Sequence, residues 1–410
     1  GVVLLFIYGS RERSIQYSGD LTFWGVFESP TAINAVIGAY RALRPEVAVT
    51  YREVNPASYE SELINALASG NAPDVIMFHN TWLPEHNNKI IPFGAETLNI
   101  DTYRQLFPTV AEQDFAPDGL IYAFPLFIDT LATFYNQDIF DDAGIAVPPK
   151  TWGEFEALVP KLRRLDKLGR IQRSAAAIGG STRSINRATD LLGLLMLQTG
   201  TEMTSSDFGR ASFDSKEGLN AVNFYTKFAN AISPVYTWTD SFPYSLDSFT
   251  EGNAAMIFNY AYQGPLLKEK NPFLNFRIIP MLQPDNRTQD VNFANYWGLA
   301  VTATSKNKAA AQDFASLVTT DPAIAEQYLI ASGRPPALRS LIAKYLNHPE
   351  IGIFARQALT ARSWPQADSS EIEKILSEMI QSVLTSRLAT QKALEEAAGK
   401  VTRLMEQVRK

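Results

Sequence analysis

The first eighty residues alternate between short apolar runs and amphipathic stretches. The apolar runs have the length and spacing of buried strands, and the amphipathic stretches have the period of helices. In order they are a strand at Leu21–Trp24, a helix after Ser29 and Pro30, a strand at Val47–Val54, a helix at Tyr59–Ser69 and a strand at Val75–Phe78. This β-α-β-α-β order predicts a parallel sheet, in which ligands bind beyond the carboxyl ends of the strands.

A second pattern extends from Gly119 to Phe155 and organises the middle of the chain. Two apolar runs, Leu120–Phe127 and Leu131–Tyr135, predict consecutive buried strands that cross from one structural unit into another. Asp129 stands between them. A carboxylate in so apolar a segment is costly unless it is hydrogen-bonded or faces a wet cleft, so Asp129 is a candidate functional residue.

The rest of the chain continues as mixed helices and strands. A capping box at Thr151 and Glu154 predicts a helix that reaches Leu168. From Glu371 the apolar positions recur at helical spacing, and a second amphipathic helix follows. The other predicted elements are helices at Ala188–Gln198, Lys216–Ala229 and from Ser305 to about Thr320, and strands up to Phe258, at Phe276–Pro280 and at Asn292–Thr302.

Composition narrows the class of protein. The chain has 410 residues, of which 46% are hydrophobic and 20% charged, as in an ordinary globular protein of about two or three domains. Its net charge of −6 and the lack of a basic stripe argue against a nucleic-acid partner. There is no cysteine, which excludes disulfides, thiolate metal sites and a cysteine nucleophile within these residues.

The first nine residues, GVVLLFIYG, are apolar but too few to span a bilayer. We expect residues 1–17 to be the remnant of a signal sequence or a membrane anchor. The alternative is a first strand of the fold.

Five motifs in order along the chain resemble those of extracellular solute-binding proteins of ABC importers, and in particular the sugar-binding, maltose-binding-protein-like cluster. They are G-x-I-Y-A-x-P from Gly119, F-Y-N-Q-D-x-F-x-x-A-G-I from Phe134, P-P-K-T-W-x-E-F from Pro148, F-x-x-G-x-A-A-M from Phe249 and G-R-P-P from Gly333. The resemblance covers nearly everything from Leu21 onward.

This resemblance implies an α/β, two-lobe periplasmic-binding-protein-like fold, with a ligand cleft between the lobes and several crossing segments. By analogy, residues 20–124 and 300–334 form the N-terminal lobe, and residues 125–299 and 335–410 the C-terminal lobe. It further implies a monomer without a cofactor, a small-molecule ligand and the permease subunits of an importer as partners.

Catalytic and metal motifs are lacking in the sequence. There is no G-x-S-x-G, H-E-x-x-H or G-x-x-x-x-G-K-[ST] pattern, and the spacing of His79 and His86 does not suit a metal site on a helix. Carboxylates such as Glu28 and Asp129 leave a glycosidase open, because that chemistry needs two of them on either side of one bond.

Candidate ligand-binding residues follow predicted strands or lie in the crossing segments. Aromatic faces stack on sugar rings, while carboxylates, amides and arginine bind hydroxyl groups. The candidates are Trp24, Glu28, His79, Asn80, Trp82, Asp129, Tyr260, Tyr262, Tyr296, Trp297 and Arg334.

Several candidates have a structural alternative. Trp24 could pack in the core, Glu28 could stabilise a helix N-terminus, and Arg334 could lie on the surface. The resemblance places a sugar-binding carboxylate at Asp129, whose alternative is a hydrogen bond between the lobes. Structural roles are favoured for Tyr59, Trp152 and Trp238, and a solvated surface position is favoured for Arg183.

The aromatic candidates come in adjacent or nearby pairs. The resemblance places one stacking ring at Tyr260 or Tyr262, with Tyr262 favoured. Tyr296 and Trp297 are neighbours in a strand, so one should face the cleft and the other the core.

The expected function is capture of a carbohydrate outside the cytoplasm by a membrane-tethered binding protein that catalyses nothing. Ligand contacts to both lobes would favour a closed state and present it to a permease. The alternatives are a binding protein for a polyamine, peptide or glycerol phosphate, a glycan hydrolase, and a surface adhesin.

Overall fold

The computed structural model describes residues 17–409, so the predicted N-terminal remnant, apart from Tyr17, lies outside the described residues. In that range the strands are β1 (Gly19–Gly25), β2 (Val47–Glu53), β3 (Val75–His79), β4 (Ile90–Ile91), β5 (Phe124–Pro125), β6 (Asp129–Thr130), β7 (Ala132–Asn136), β8 (Arg164–Leu165), β9 (Ile171–Arg173), β10 (Met256–Asn259), β11 (Phe276–Ile279), β12 (Asn292–Asn295), β13 (Trp297–Thr302) and β14 (Ala361–Arg362).

The helices are α1 (Pro30–Leu43), α2 (Tyr59–Ala68), α3 (Leu83–His86), α4 (Ile100–Leu106), α5 (Thr109–Phe115), α6 (Gln137–Asp142), α7 (Trp152–Leu162), α8 (Ala188–Gln198), α9 (Lys216–Thr226), α10 (Ser245–Thr250), α11 (Gln263–Lys270), α12 (Lys308–Thr320), α13 (Pro322–Ser332), α14 (Arg339–Tyr345), α15 (Gly352–Ala358), α16 (Ser369–Leu384) and α17 (Thr390–Val408). Across the described residues, none of them combines the length and apolarity needed to cross a membrane.

The first lobe is built on a sheet of order β2-β1-β3-β13-β4, and β5 also pairs with β13. β1 is parallel to β2 and to β3, as the alternating pattern predicts. β13 enters antiparallel to β3 and places Trp297 opposite His79. The carboxyl ends of β1 and β3 therefore meet the start of β13 at one edge of the sheet.

Three crossing segments lie side by side between the lobes. β12 pairs with β6, where Asn295 is opposite Asp129, and with β14, where Asn292 is opposite Ala361. Tyr296 alone separates β12 from β13. The single strand predicted here is therefore split into one part that belongs to the crossing and one that belongs to the first lobe.

The second lobe contains an antiparallel sheet, β10-β7-β11. Apolar side chains from residues 21–128 and 294–361 form one core, and those from residues 131–293 and 364–405 form a second. Ala337, Leu338, Leu341 and Ile342, which the predicted division assigns to the C-terminal lobe, pack in the first core. The division into lobes stays a prediction.

Two predicted elements are shorter than expected. The helix predicted to reach Leu168 ends at Leu162, since Arg163 is extended and the chain turns around Asp166, which accepts hydrogen bonds from the N–H groups of Leu168 and Arg170. The strand predicted at Leu120–Phe127 pairs with β13 only at β5. The first element is thus ended by a local turn, and the second is paired over only two of its residues.

Candidate ligand-binding site

Two cavities lie between the lobes, one at the edge where β1, β3 and β13 meet and one beside the loop between β1 and α1. Their volumes are about 240 Å³, called here the small compartment, and about 950 Å³, the large compartment. Phe27, in the loop after β1, lines both, so they adjoin within one cleft. The small compartment is lined from 26–27, 56–60, 79–82, 187–190, 293–297 and 363–376, and the large one from 27–32, 261–268, 276–278, 331–334 and 349–354.

Aromatic rings form the first-lobe wall of the small compartment. Tyr59 at the start of α2 stacks on Trp82, with ring centroids 5.9 Å apart and planes inclined by 17°. Trp297 meets Trp82 edge-on at 5.2 Å and His79 at 4.9 Å. The antiparallel pairing of β13 with β3 holds these rings together, and the Tyr59 hydroxyl, which donates to the Met77 carbonyl at 2.8 Å, fixes α2 against them.

His79 contributes a neutral ring to this wall. Its Nε2 lies 3.3 Å from Oδ1 of Asn295, and its Nδ1 lies 2.7 Å from the Thr81 hydroxyl. Oδ1 of an amide only accepts, so this arrangement assigns the proton to Nε2. Burial lowers the pKa of His79 to about 4, and the imidazole is therefore uncharged at neutral pH.

The second lobe supplies a polar wall, in which the sequence singled out the two tyrosines but not Arg187 and Asp190. Arg187, just before α8, donates to the Tyr262 hydroxyl from Nη2 at 2.7 Å and from Nε at 3.2 Å. Its guanidinium lies 3.7 Å from the Asp190 carboxylate, which also accepts from the Tyr260 hydroxyl at 2.7 Å. Arg187 and Asp190 line the small compartment, whereas Tyr262 lines the large one.

Asp129 is buried in β6 beside the large compartment. Its Oδ1 accepts from the backbone N–H groups of Thr130 at 2.8 Å and Ala261 at 3.1 Å, and Ala261 lines that compartment. Among the described residues, Oδ2 has no hydrogen-bond partner. Burial raises the pKa of Asp129 to about 6, although these backbone donors and Arg334 favour the charged form. A buried carboxylate oxygen of this kind suits a donor from a ligand or a water.

Glu28 and Arg334 form an ion pair at the wall of the large compartment. Nε of Arg334 donates to Oε1 of Glu28 at 2.8 Å, and both side chains are largely buried. Burial raises the pKa of Glu28, while Arg334 opposes that rise. The charges of Arg334 and Glu28 thus neutralise each other at this wall.

Behind the small compartment lies a buried hydrogen-bonded network around Asp114 of α5. Its carboxylate accepts from Nδ2 of Asn80 at 3.1 Å, from the Tyr296 hydroxyl at 2.8 Å and from the Ser363 hydroxyl. Asn80 and Ser363 also line the compartment, while Tyr296 is fully buried. The network therefore links a cleft loop to two crossing segments.

The predicted site residues, apart from Trp24, separate into three groups. His79, Asn80, Trp82 and Trp297 line the small compartment, and Glu28, Tyr262 and Arg334 line the large one. Asp129, Tyr260 and Tyr296 are buried directly behind these walls. Trp24 is not among the lining residues of either compartment, and the Arg52 guanidinium lies 4.4 Å from its ring centre.

Several lining residues were not singled out by the sequence. Arg187, Asp190 and Trp364 line the small compartment, and none of them lies in the quoted motifs. Phe27 stands between two candidates, Trp24 and Glu28, and the signal that could have found it is its place in the loop after a parallel strand.

One group of possible metal ligands, Glu60, Glu85 and His86, lies near the small compartment. Nζ of Lys89 is 2.9 Å from Nδ1 of His86, and Oε1 of Glu60 is 2.7 Å from Nε2. A lysine ammonium only donates hydrogen bonds, so Nδ1 of His86 accepts one from Lys89. The ring proton is therefore on Nε2, which donates a hydrogen bond to the Glu60 carboxylate. The lysine and the protonated Nε2 both disfavour a metal ion here.

A maltotriose-binding protein of Pyrococcus abyssi is 22% identical over 315 residues, which cover 76% of this chain and 64% of that protein. A probable amino-acid ABC transporter periplasmic-binding protein of Sinorhizobium fredii is 23% identical over 379 residues, 88% of this chain and 83% of its own length. This chain thus spans less than two thirds of the maltotriose-binding protein.

The fold agrees with solved structures. The sugar-binding protein MalE of Xanthomonas citri superposes with a TM-score of 0.79 at 19% identity, over 95% of this chain and 98% of that protein. The predicted two-lobe α/β fold is thereby confirmed. The family model described as bacterial extracellular solute-binding protein matches residues 24–325, and since this is well over half of the sequence, the chain belongs to that family.

Proposed function

We propose that this chain captures a carbohydrate in the cleft between its lobes and delivers it to the permease of an ABC importer. The observation that carries the proposal is the aromatic wall of Tyr59, Trp82 and Trp297, which faces the polar side chains Arg187 and Asp190 across the small compartment. A sugar ring has an apolar face and a polar rim, so it matches a site with one aromatic and one hydrogen-bonding wall.

Asp129 supports the same proposal. Its unpartnered, buried Oδ2 suits a hydroxyl donor, and the surrounding backbone N–H groups hold the carboxylate in place. The family resemblance also places a sugar-binding carboxylate at this position. We therefore retain Asp129 among the proposed ligand-binding residues, together with the predicted residues that line the two compartments.

Relatives offer two ligand classes. Sugar is supported by the maltotriose-binding protein of Pyrococcus abyssi and the sugar-binding protein MalE. The second candidate is an amino acid, which the relative from Sinorhizobium fredii supports. Arg187 and Asp190, 3.7 Å apart in the cleft wall, could pair with the carboxylate and ammonium of such a ligand. The stacked rings, which an amino acid would not require, favour sugar.

We propose an extracytoplasmic location, for which the extracellular family gives support, with residues 1–17 as a tether or a processed leader. We also propose that the chain catalyses nothing. Glu28, one of the two carboxylates considered for a glycosidase, is already paired with Arg334 at 2.8 Å. Turnover of a chromogenic glycoside that Asp129→Asn abolishes would contradict this part of the proposal.

Tryptophan fluorescence tests the proposal, because Trp82 and Trp297 line the cleft. Purified protein is titrated with mono- and oligosaccharides, sugar alcohols, amino acids and short peptides. A saturable change is expected with one sugar class, and it should be reduced in Trp82→Phe but kept in Trp152→Phe, a buried tryptophan of the second core.

The binding contribution of Asp129 is measured with the isosteric variant Asp129→Asn. Loss of a hydrogen bond to a charged group, about 1.5–3 kcal/mol, corresponds to a Kd that rises roughly 10- to 100-fold. Asp118→Asn, an exposed position in the first lobe, is the control and should bind like the wild type. A saturable response to amino acids or peptides alone would reject the carbohydrate and keep the fold.

A further inference from the structure

Two strained residues face the same cavity from opposite lobes. Four non-glycine residues of the described chain have positive φ: Phe27 at 64°, Arg187 at 63°, Phe208 at 53° and Ser386 at 53°. Phe27 and Arg187 both line the small compartment. Bulky residues seldom adopt this conformation, and they persist in it only where surrounding contacts hold them, which is most often at functional sites.

The backbone on both sides of Phe27 is fixed. The N–H of Val26 lies 3.4 Å from the Met77 sulfur, and the carbonyl oxygen of Glu28 accepts from the Tyr51 hydroxyl at 2.8 Å. The Phe27 side chain is nevertheless 54% exposed, and its ring centre is 6.1 Å from that of Trp297. Core packing therefore does not explain the strained backbone of Phe27. The strained conformation instead holds the apolar Phe27 ring where the two compartments meet.

Arg187 occupies the other side of this junction. Its hydrogen bonds to the Tyr262 hydroxyl join a residue of the small compartment to one of the large compartment. Its guanidinium also lies 5.3 Å from the ring centre of Tyr260. The second-lobe side of the junction is thus a cation whose direction is fixed by two tyrosines and by Asp190.

The two volumes differ in what they can hold. About 240 Å³ is below the range of cavities that enclose drug-sized ligands, whereas about 950 Å³ is near the top of that range. A single sugar ring suits the first and several rings suit the second. A ligand that fills both lies against Phe27, which lines both compartments, and against the Arg187–Tyr262 pair, whose members line one compartment each.

We propose that Phe27 and Arg187 are specificity-determining residues that contact the ligand at this junction and select an oligosaccharide over its monosaccharide. The terminal ring occupies the small compartment, and the remaining rings extend past Phe27 into the large compartment. The inference rests on the proposed carbohydrate function. It names two ligand contacts and a ligand length that this function does not by itself require.

The test is calorimetric titration of the full chain with glucose, maltose, maltotriose and maltotetraose, and with mannose and mannotriose. We expect the wild type to bind one oligosaccharide at least tenfold more tightly than its monosaccharide. Phe27→Ala and Phe27→Gly should each weaken the oligosaccharide about tenfold and so reduce that ratio. Arg187→Lys, which keeps the charge but loses the paired bonds to Tyr262, should do the same.

Phe208 provides a matched control, because it also has positive φ but is not among the lining residues of either compartment. Phe208→Ala and Phe208→Gly should leave every Kd unchanged. At both positions the glycine variant should melt about 1–2 °C above the alanine variant, because glycine adopts positive φ without strain. This comparison separates loss of the ring from release of backbone strain.

Each outcome is informative. Tight oligosaccharide binding by Phe27→Ala, equal to that of the wild type, overturns the inference and leaves the proposed function intact. Equal wild-type affinity for a monosaccharide and its oligomers overturns the length selection in the same way. If none of these sugars binds the wild type, the proposed function fails on this panel and the inference fails with it.

Discussion

Replacing Asp114 by asparagine tests whether one buried carboxylate makes stability depend on pH. Asp114 is 7% exposed, and burial raises its pKa to about 7 even though Ser363, Tyr296 and Asn80 donate hydrogen bonds to it. The folded pKa thus lies above that of the unfolded chain. The folded protein therefore binds a proton at Asp114 more tightly than the unfolded chain does. The stability gained from this proton is fully present below about pH 4 and is lost as the pH rises through 7.

The magnitude follows from the shift. A rise from 3.8 to about 7 is roughly three pKa units, or about 4 kcal/mol over the full titration at 1.36 kcal/mol per unit. Between pH 8 and pH 6 the same linkage gives about 1.4 kcal/mol. The variant Asp114→Asn cannot take up this proton. The free energy of unfolding of the wild type relative to Asp114→Asn should thus increase by about 1.4 kcal/mol as the pH falls from 8 to 6.

Urea unfolding at pH 6, 7 and 8 measures this difference. Asp129 and His79, whose pKa values are shifted to about 6 and about 4, titrate in both proteins and cancel in the comparison. Glu396→Gln, an exposed carboxylate on α17, is the control and should differ from the wild type by the same amount at each pH. A constant difference between wild type and Asp114→Asn would refute the reasoning.

Three further predictions concern single contacts of the first lobe, each measured by urea unfolding. Arg44→Ala should lower the free energy of unfolding by about 2 kcal/mol, because Asp313 loses a partner at 2.9 Å; an unchanged value would contradict this. Gly298→Ala should lower it by about 1–3 kcal/mol, because a Cβ would lie 2.7 Å from the Phe124 carbonyl oxygen. Gly38→Ala should instead raise the free energy of unfolding by roughly 0.5–1 kcal/mol, because a Cβ at this position in α1 would have no neighbouring atom within 4 Å. Equal effects at the two glycines would contradict the packing argument.

The fold was predictable where local pattern and tertiary packing agree. The apolar helix predicted at Ala188–Gln198 has those bounds in the structure, since nearly all of it is buried. The β-α-β-α-β order likewise forms the predicted parallel sheet. The predicted extension to Leu168 failed because a turn around Asp166 is stabilised by contacts that the helical period does not encode.

The candidate site was predictable only where its residues follow strands or belong to a recognisable motif. Trp82 and Trp297 satisfy that condition, and both line the small compartment. Arg187 does not, because its direction depends on a left-handed backbone and on the Tyr262 hydroxyl, 75 positions away along the chain. Trp364 follows the third crossing segment, and it enters the cleft only because β14 pairs with β12.

The arrangement of the cores gives Asp114 a second expected effect, on ligand binding. The two main cores are separate, and β12 pairs with β6 and with β14 through only two residue pairs each. A rotation of the lobes therefore disturbs few of these pairs and opens neither core. Asp114 binds Tyr296 between β12 and β13, and Ser363 directly after β14. It therefore restrains two of the segments about which the lobes would turn. A ligand that contacts both lobes favours one relative orientation of the lobes, and the hydrogen bonds of Asp114 restrain that orientation. Asp114→Asn should therefore change the Kd of the ligand at pH 8 in the fluorescence titration. An unchanged Kd would confine the role of Asp114 to stability.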